Sequence, residues 1–402
     1  MTTDEFDFRT PVDRWGTHSA KWDLLAAPYG RDAVALSVAD MEFRTSPGVI
    51  EAVENAAKLG AYGYTEVFDD FRRAAAGWQR RRHGWNPDPD DLVFFPRIVQ
   101  CVAALANFII PDRTGRRARV VSFTPAYHPL LEVCERAGAS IELVELLDTA
   151  SKARIDFDAL ESAMTGADLL LLTNPHNPSG RVWSRQELER IAAITRPGGA
   201  LVLSDDIHAD FTRPGGAPYT PLAVLAPDLW EAGRILQCAS PGKTFTIAGL
   251  EASAVFAHGR IIDELENAKR RLGLHNPNYF AIPAAIAAWK HAERWVDALN
   301  ETITENIRAA RALLALELPE ARVADPEGTY LLWVDARAYA PSAARIEGAC
   351  RASRVLVTPG GEFGEAFEGF FRINTAMPLD PLLEALRRFS RALASPCAPL
   401  TH

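Results

Sequence analysis

Between residues 90 and 260 the chain alternates short, continuously apolar runs with longer stretches whose apolar residues recur at helical spacing. Leu92 to Phe95, Arg119 to Phe123, Ile141 to Leu146, Leu169 to Thr173, Leu201 to Ser204, Ile235 to Ala239 and Ala252 to Ala257 predict seven strands. They lack the in-and-out alternation of a half-solvated strand. This predicts burial on both faces, and hence a mostly parallel sheet with helices on each side. Val99 to Phe108, His128 to Ala137 and Arg185 to Ile194 are the clearest intervening helices.

The flanks carry a different pattern. Residues 1–45 read as an extended arm ending in a strand candidate, Ala33 to Val38. Ser46 at the cap and Pro47 at the first helical position open a helix that runs through Ala57, and Phe68 to Arg82 is helical again. A long helix from Val296 to Leu316 leads into strands at Tyr330 to Val334, Val355 to Thr358 and Gly369 to Asn374, closed by a helix from Leu382 to Leu393. The expected architecture is α/β, with an arm (1–45) joining a small α+β domain (291–402) and a large domain (46–290) between them. No repeat, low-complexity tract or Ser/Gly linker interrupts it, so the two units should pack tightly.

Composition mainly removes possibilities. With 402 residues, 48% hydrophobic, the chain can bury a substantial core. Its 43 basic and 52 acidic residues give a net charge of −9, which disfavours nucleic acid or an anionic membrane as partner. The clusters Arg80-Arg81-Arg82 and Arg113 to Arg119 therefore read as solvated faces. No apolar run approaches the roughly 18 residues of a spanning helix, and Phe280 to Trp289 is only a core-length stretch. Met1 to Glu5 has no basic or apolar signal region. Cys101, Cys134, Cys238, Cys350 and Cys397 are odd in number and scattered, without metal-ligand spacing, which points to reduced thiols in a cytoplasmic protein holding no metal.

Chemistry concentrates just after three predicted strands. Ser240-Pro241-Gly242-Lys243-Thr244-Phe245 is expected to be a loop, and a lysine there can be a Schiff-base nucleophile or a plain solvated charge. Asn174-Pro175-His176-Asn177-Pro178-Ser179-Gly180 and Ser204-Asp205-Asp206-Ile207-His208 follow buried strands as well. In an open α/β sheet ligands gather at the carboxyl ends of strands, so an amide, a carboxylate, an imidazole and a lysine would converge on one crevice. A rigid turn for the first segment and a helix cap for Asp205 are the plainer alternatives.

In their order and local contexts, Tyr127, Asn177, Asp205, Lys243 and Arg372 resemble the fold-type I pyridoxal-phosphate enzymes of the class I/II aminotransferase superfamily. More narrowly, Ala39-Asp40-Met41-Glu42-Phe43, Tyr62-Gly63-Tyr64-Thr65, the Asn174 segment through Trp183, Ser204-Asp205 with Ile207-His208-Ala209-Asp210, and Lys243-Thr244-Phe245 look like its MalY/PatB branch. These are the cystathionine β-lyase-like C–S lyases, and the resemblance spans nearly the whole chain. It implies pyridoxal 5′-phosphate as cofactor, a small amino-acid substrate, and a homodimer with composite active sites. By the same resemblance Lys243 anchors the cofactor and then acts as the base at Cα, while Asp205 pairs with the ring nitrogen. Asn177 donates to O3′ with His208 nearby, and Tyr127 stacks on the ring. Ile98, Val99 and Ser240 hold the phosphate, joined by Tyr64 from a second subunit. Arg372 forks the substrate carboxylate, with Ala39 beside the substrate.

Four positions depart from the branch: Arg97 in place of Gly, Ser37 of Trp, Gly242 of Ser, and Glu251 of an uncharged residue. The expectation is β-elimination from cystathionine or another L-cysteine S-conjugate, giving thiol, pyruvate and ammonia, with room for bulky S-substituents of the kind met in sulfur-containing natural products. Transamination, or a decarboxylating or oxidatively deaminating variant, shares every cofactor residue. A regulatory binding role, which one member of the branch has, is the alternative outside catalysis.

Overall fold

A computed structural model describes residues 6–395. Its strands are β1 (Val34–Ala35), β2 (Leu92–Phe95), β3 (Arg119–Thr124), β4 (Ser140–Glu145), β5 (Leu169–Thr173), β6 (Leu201–Asp205), β7 (Ile235–Ala239), β8 (Ser253–Phe256), β9 (Arg322–Val323), β10 (Leu331–Asp335), β11 (Val355–Leu356), β12 (Thr358–Pro359) and β13 (Phe370–Asn374). Seven of them form one sheet in the order β2-β8-β7-β6-β5-β3-β4. All neighbours are parallel except β8, which runs antiparallel to β2 and β7.

Continuous apolarity has its expected consequence in the middle of this sheet. Leu169 and Leu171 of β5 enter one core cluster, with Leu201, Leu203 and Leu236, while Leu170 and Leu172 enter another, with Val121, Phe123 and Val202. Alternate residues thus feed opposite faces, and both are dry. The edge strand β4 departs from this. It has one neighbour, β3, and of its residues only Val144 is buried, because Glu142 and Glu145 face solvent on a strand that no second partner covers.

The long helix, Glu293–Glu317, and the closing helix, Leu379–Ala394, pack on each other beside a four-stranded antiparallel sheet, β12-β13-β10-β9. The N-terminal segment reaches this part of the chain: β1 pairs in parallel with β11. Only two residues of the expected strand from Ala33 to Val38 are assigned, and by Val38 the backbone has a positive φ of 58°, which β geometry does not allow. The expected strand from Val355 to Thr358 is divided, β11 serving β1 and β12 serving β13. Ser46 sits at its cap position and Pro47 follows, yet the Ser46 hydroxyl makes no capping bond.

The basic clusters lie on ion-paired faces, with Arg81 on Glu293, Arg82 on Asp297, Arg113 on Glu264 and Arg116 on Asp168. Cys101, Cys134, Cys238 and Cys350 are free and buried; Cys397 lies outside the described residues. Among the described residues no helix is long and apolar enough to cross a membrane, and no His, Cys, Asp or Glu cluster could hold a metal.

Candidate active site

Register decides where the chemistry collects. Thr173, Asp205 and Cys238 stand side by side at the carboxyl ends of β5, β6 and β7. The segments that leave those ends carry Asn177, His208 and Lys243, so one sheet edge holds all three. The Asn177 segment closes tightly on Gly180, whose φ is +70° and whose N–H bonds the His176 carbonyl at 2.7 Å. A Cβ there would lie 2.3 Å from Pro326 Cβ, so only glycine fits.

Lys243 lies not in an open loop but in a single helical turn, Pro241–Thr244. Ser240 caps that turn, accepting from the Gly242 N–H at 3.1 Å, and Pro241 starts it, the combination that favours a helix over a loop. The lysine Nζ donates to the Ala39 carbonyl at 2.6 Å. Burial pushes its pKa down to about 8, with Arg372 and Arg97 helping and Asp40 and Asp205 opposing.

The Ala39 segment is itself held in place. Asn374 of β13 donates to the Val38 and Asp40 carbonyls at 3.0 and 2.7 Å. Lys21, 2% exposed, bonds the Asp40 carbonyl at 2.9 Å and pairs with buried Glu42 at 2.7 Å.

Asp205 is buried, and burial raises its carboxyl to about 6, with Lys243 pulling the other way. Arg372 is buried over the Phe363 ring and touches only neutral acceptors, Asn177 Oδ1 at 2.8 Å and Thr358 Oγ1 at 3.5 Å. Burial lowers its pKa to about 10. A guanidinium so placed is short of an anion, and its planar fork suits a carboxylate. Both His208 nitrogens are buried without a partner, and burial, then Lys243 and Arg372, holds the ring well below the usual histidine range. Orphaned ring nitrogens, an anion-hungry arginine and a lysine resting on a carbonyl fit a ligand carrying an aldehyde, ring heteroatoms and a carboxylate-bearing adduct.

Tyr127 leads into the helix His128–Arg136 and remains 37% exposed. Its hydroxyl is raised by burial and by Asp205. Ile98 and Val99 are the first two residues of the helix that follows β2. Ser240 lies at the same corner, but its proton is committed to the Ala252 carbonyl at 2.7 Å. Tyr64 is not brought to the others: it is 97% exposed, near exposed Leu59 and Phe68 in the sequence.

Several neighbours were given no role by the sequence, although Asp210 and Thr244 fall within the motifs that carry the resemblance. Tyr330, fully buried with an unpartnered hydroxyl, packs edge-on against His208 at 5.6 Å. Behind the lysine, Asp210 accepts from the Thr244 hydroxyl at 2.7 Å and the Trp78 indole at 3.0 Å, and it contacts His83 Nε2 at 3.0 Å. Of the four departures, Ser37 buries an unpaired hydroxyl. A Cβ on Gly242 would sit 3.2 Å from both Ala248 Cα and Ser240 Oγ. Arg97 and Glu251 turn out to be ion-pair partners of each other.

Residues 31–389 match the family described as aminotransferase class I and II. The chain is 36% identical to the cystathionine beta-lyase PatB of Bacillus subtilis, covering 96% of this chain and 100% of that protein. It is 30% identical to the protein MalY of Escherichia coli, covering 94% and 96%. Among solved structures, cystalysin of Treponema denticola, which contains a pyridoxal 5′-phosphate cofactor, superposes with a TM-score of 0.88 at 30% identity, over 96% of this chain and 98% of that one.

Proposed function

The chain belongs to the aminotransferase class I and II family, and from that membership we propose that it is a cytoplasmic, pyridoxal-phosphate-dependent carbon–sulfur β-lyase. It cleaves cystathionine or another L-cysteine S-conjugate to a thiol, pyruvate and ammonia. The observation that carries this reading is the buried Lys243 amine, its pKa near 8, set among Asp205, His208, Asn177 and Arg372. PatB is named for the same reaction.

Bound at Lys243, pyridoxal phosphate supplies an electron sink for a carbanion at the substrate Cα. Asp205 would pair with the ring nitrogen, and its carboxyl, raised to about 6 by burial, would favour the ionised form once a cation stood against it. Asn177 and His208 would serve the ring oxygen, and Tyr127 would cover the ring face. Arg372 takes the substrate carboxylate while keeping Asn177 oriented. With the cofactor held, the Lys243 Nζ would be the group placed to remove the Cα proton; a pKa near 8 leaves a minority of it as free base at neutral pH and most of it above pH 8. Ile98 and Val99 would offer N–H groups to the phosphate, and Ser240 shapes the neighbouring turn that carries Lys243. Tyr64, extended into solvent, completes the site of a second copy, so the working unit is a homodimer.

The test is a mass-spectrometric product analysis of cofactor-loaded protein with an S-alkyl cysteine and with a bulky S-conjugate, in air and without it. Thiol and pyruvate in equal amounts, independent of oxygen, are expected. A keto acid that retains its sulfur would mean transamination instead. Carbon dioxide or an aldehyde that needs oxygen, with no pyruvate, would equally overturn the lyase reading.

A further inference from the structure

Arg97 and Glu251 lie 154 residues apart in the chain and meet at one corner of the site. Arg97 occupies the turn between β2 and the helix that opens with Ile98 and Val99. Glu251 occupies the turn that enters β8, with a left-handed φ of 60°. The two turns are tied together by the β2–β8 ladder, in which Phe95 faces Ser253, and by the Ser253 hydroxyl, which donates to the Pro96 carbonyl at 3.5 Å. The Ala252 carbonyl, one residue after Glu251, holds the Ser240 proton. Arg97, the Ile98 and Val99 N–H groups and Ser240 are therefore parts of a single corner.

The fold gains little from this ion pair. Its side chains are 63% and 37% exposed, a setting in which such pairs contribute almost nothing to stability, and Glu251 sits in a backbone region unfavourable for any residue with a Cβ. The guanidinium also has capacity to spare, since Glu251 engages one of its five N–H donors and a full edge stays open. The corner is short of positive charge as well. With the Ser240 hydroxyl turned inward, this copy would otherwise meet a phosphate dianion there with backbone N–H groups and no cation. The Arg97 charge is felt in the site, where it lowers the proton affinity of both Lys243 and Tyr127.

We propose that Arg97, steered by Glu251, is a direct ligand of the cofactor phosphate, so that this chain holds the phosphate with a side-chain cation as well as with backbone N–H groups. The inference rests on the reading of Lys243 as the pyridoxal-phosphate anchor. Glu251 fixes one edge of the guanidinium and leaves the other in the planar, forked geometry that matches two phosphate oxygens.

The experiment titrates the full-length apoprotein with pyridoxal phosphate and, separately, with pyridoxal, which lacks only the phosphate; binding is read from the absorbance of the lysine adduct and from tryptophan fluorescence. Arg97→Gln should raise the Kd for pyridoxal phosphate roughly tenfold to a hundredfold and leave that for pyridoxal within about twofold, as loss of one charged hydrogen-bonded contact requires. Glu251→Gln, which frees the cation, should increase the preference for the phosphorylated form. Equal changes for both compounds, or none, would overturn the proposal. Should Arg97→Gln fail to fold, Glu251→Gln decides by itself, an unchanged preference counting against it. Failure of the unsubstituted protein to bind either compound would instead bring down the Lys243 reading.

Discussion

Replacing Asp210 separates the cost of a lost charge from the cost of stranded donors. Its Oδ1 takes the Trp78 indole N–H at 3.0 Å and contacts His83 Nε2 at 3.0 Å, while Oδ2 takes the Thr244 hydroxyl at 2.7 Å. Asp210, Trp78 and Thr244 are buried, and His83 is partly so. Alanine would leave three polar groups without a partner, at about 1–3 kcal/mol each; water entering the vacated volume recovers part, which puts the expected loss at about 3–5 kcal/mol. Asparagine keeps an oxygen for Trp78 and His83, and its amide can donate to a Thr244 hydroxyl that rotates to accept. Only the charge is lost, about 1–2 kcal/mol. Urea unfolding of the apoprotein variants measures both. A loss for alanine no larger than that for asparagine would refute the account of three dependent donors.

The same residue gives a pH signature. Burial alone would raise the Asp210 carboxyl, but the His83 bond and charge, then Arg82 and Thr244, outweigh it and hold the group below its ordinary value. A carboxyl whose folded pKa is depressed contributes stability that is complete above the unfolded value, about 4, and is lost as pH falls through the folded one. The gap between the unsubstituted protein and Asp210→Asn should therefore be full at neutral pH and close in acid.

Arg372→Lys keeps the charge but cannot hold Asn177 Oδ1 and fork a carboxylate together, so KM for the amino-acid substrate should rise roughly tenfold or more, with the cofactor spectrum unchanged. An unchanged KM would remove Arg372 from the substrate. Capture of pyridoxal phosphate by the apoprotein should quicken about tenfold per pH unit and level off near pH 8, where the buried Lys243 loses its proton. Stopped-flow absorbance follows this, and a midpoint above 10 would contradict the burial effect.

The seven strands of the large sheet were legible because two-sided burial leaves an unbroken apolar run, as in Leu169 to Leu172. β4 is the exception: Glu142 and Glu145 interrupt its run, a mark of its edge position that grouping it with the apolar strands passes over. Asn177, Asp205, His208 and Lys243 could be read because each lies within a few residues of a strand end. What escaped depends on partners far off in the chain. Arg97 finds Glu251 across 154 residues and His83 finds Asp210 across 127, and nothing local to either residue announces the other. Ser240 was legible as a hydroxyl near the lysine, but the direction of its proton depends on the Ala252 carbonyl that folding places beside it.

The clamp that Asn374 places on the Val38 and Asp40 carbonyls has a temporal consequence. The carbonyl that receives Lys243 belongs to residue 39, synthesised early, yet its segment is pinned by a strand made almost last. All seven strands of the large sheet end by residue 256, but the segment that seats the lysine can gain its Asn374 clamp only once β13 has been made. A chain cut short before residue 370 keeps every strand of the large sheet in its sequence but loses the clamp on the lysine's seat.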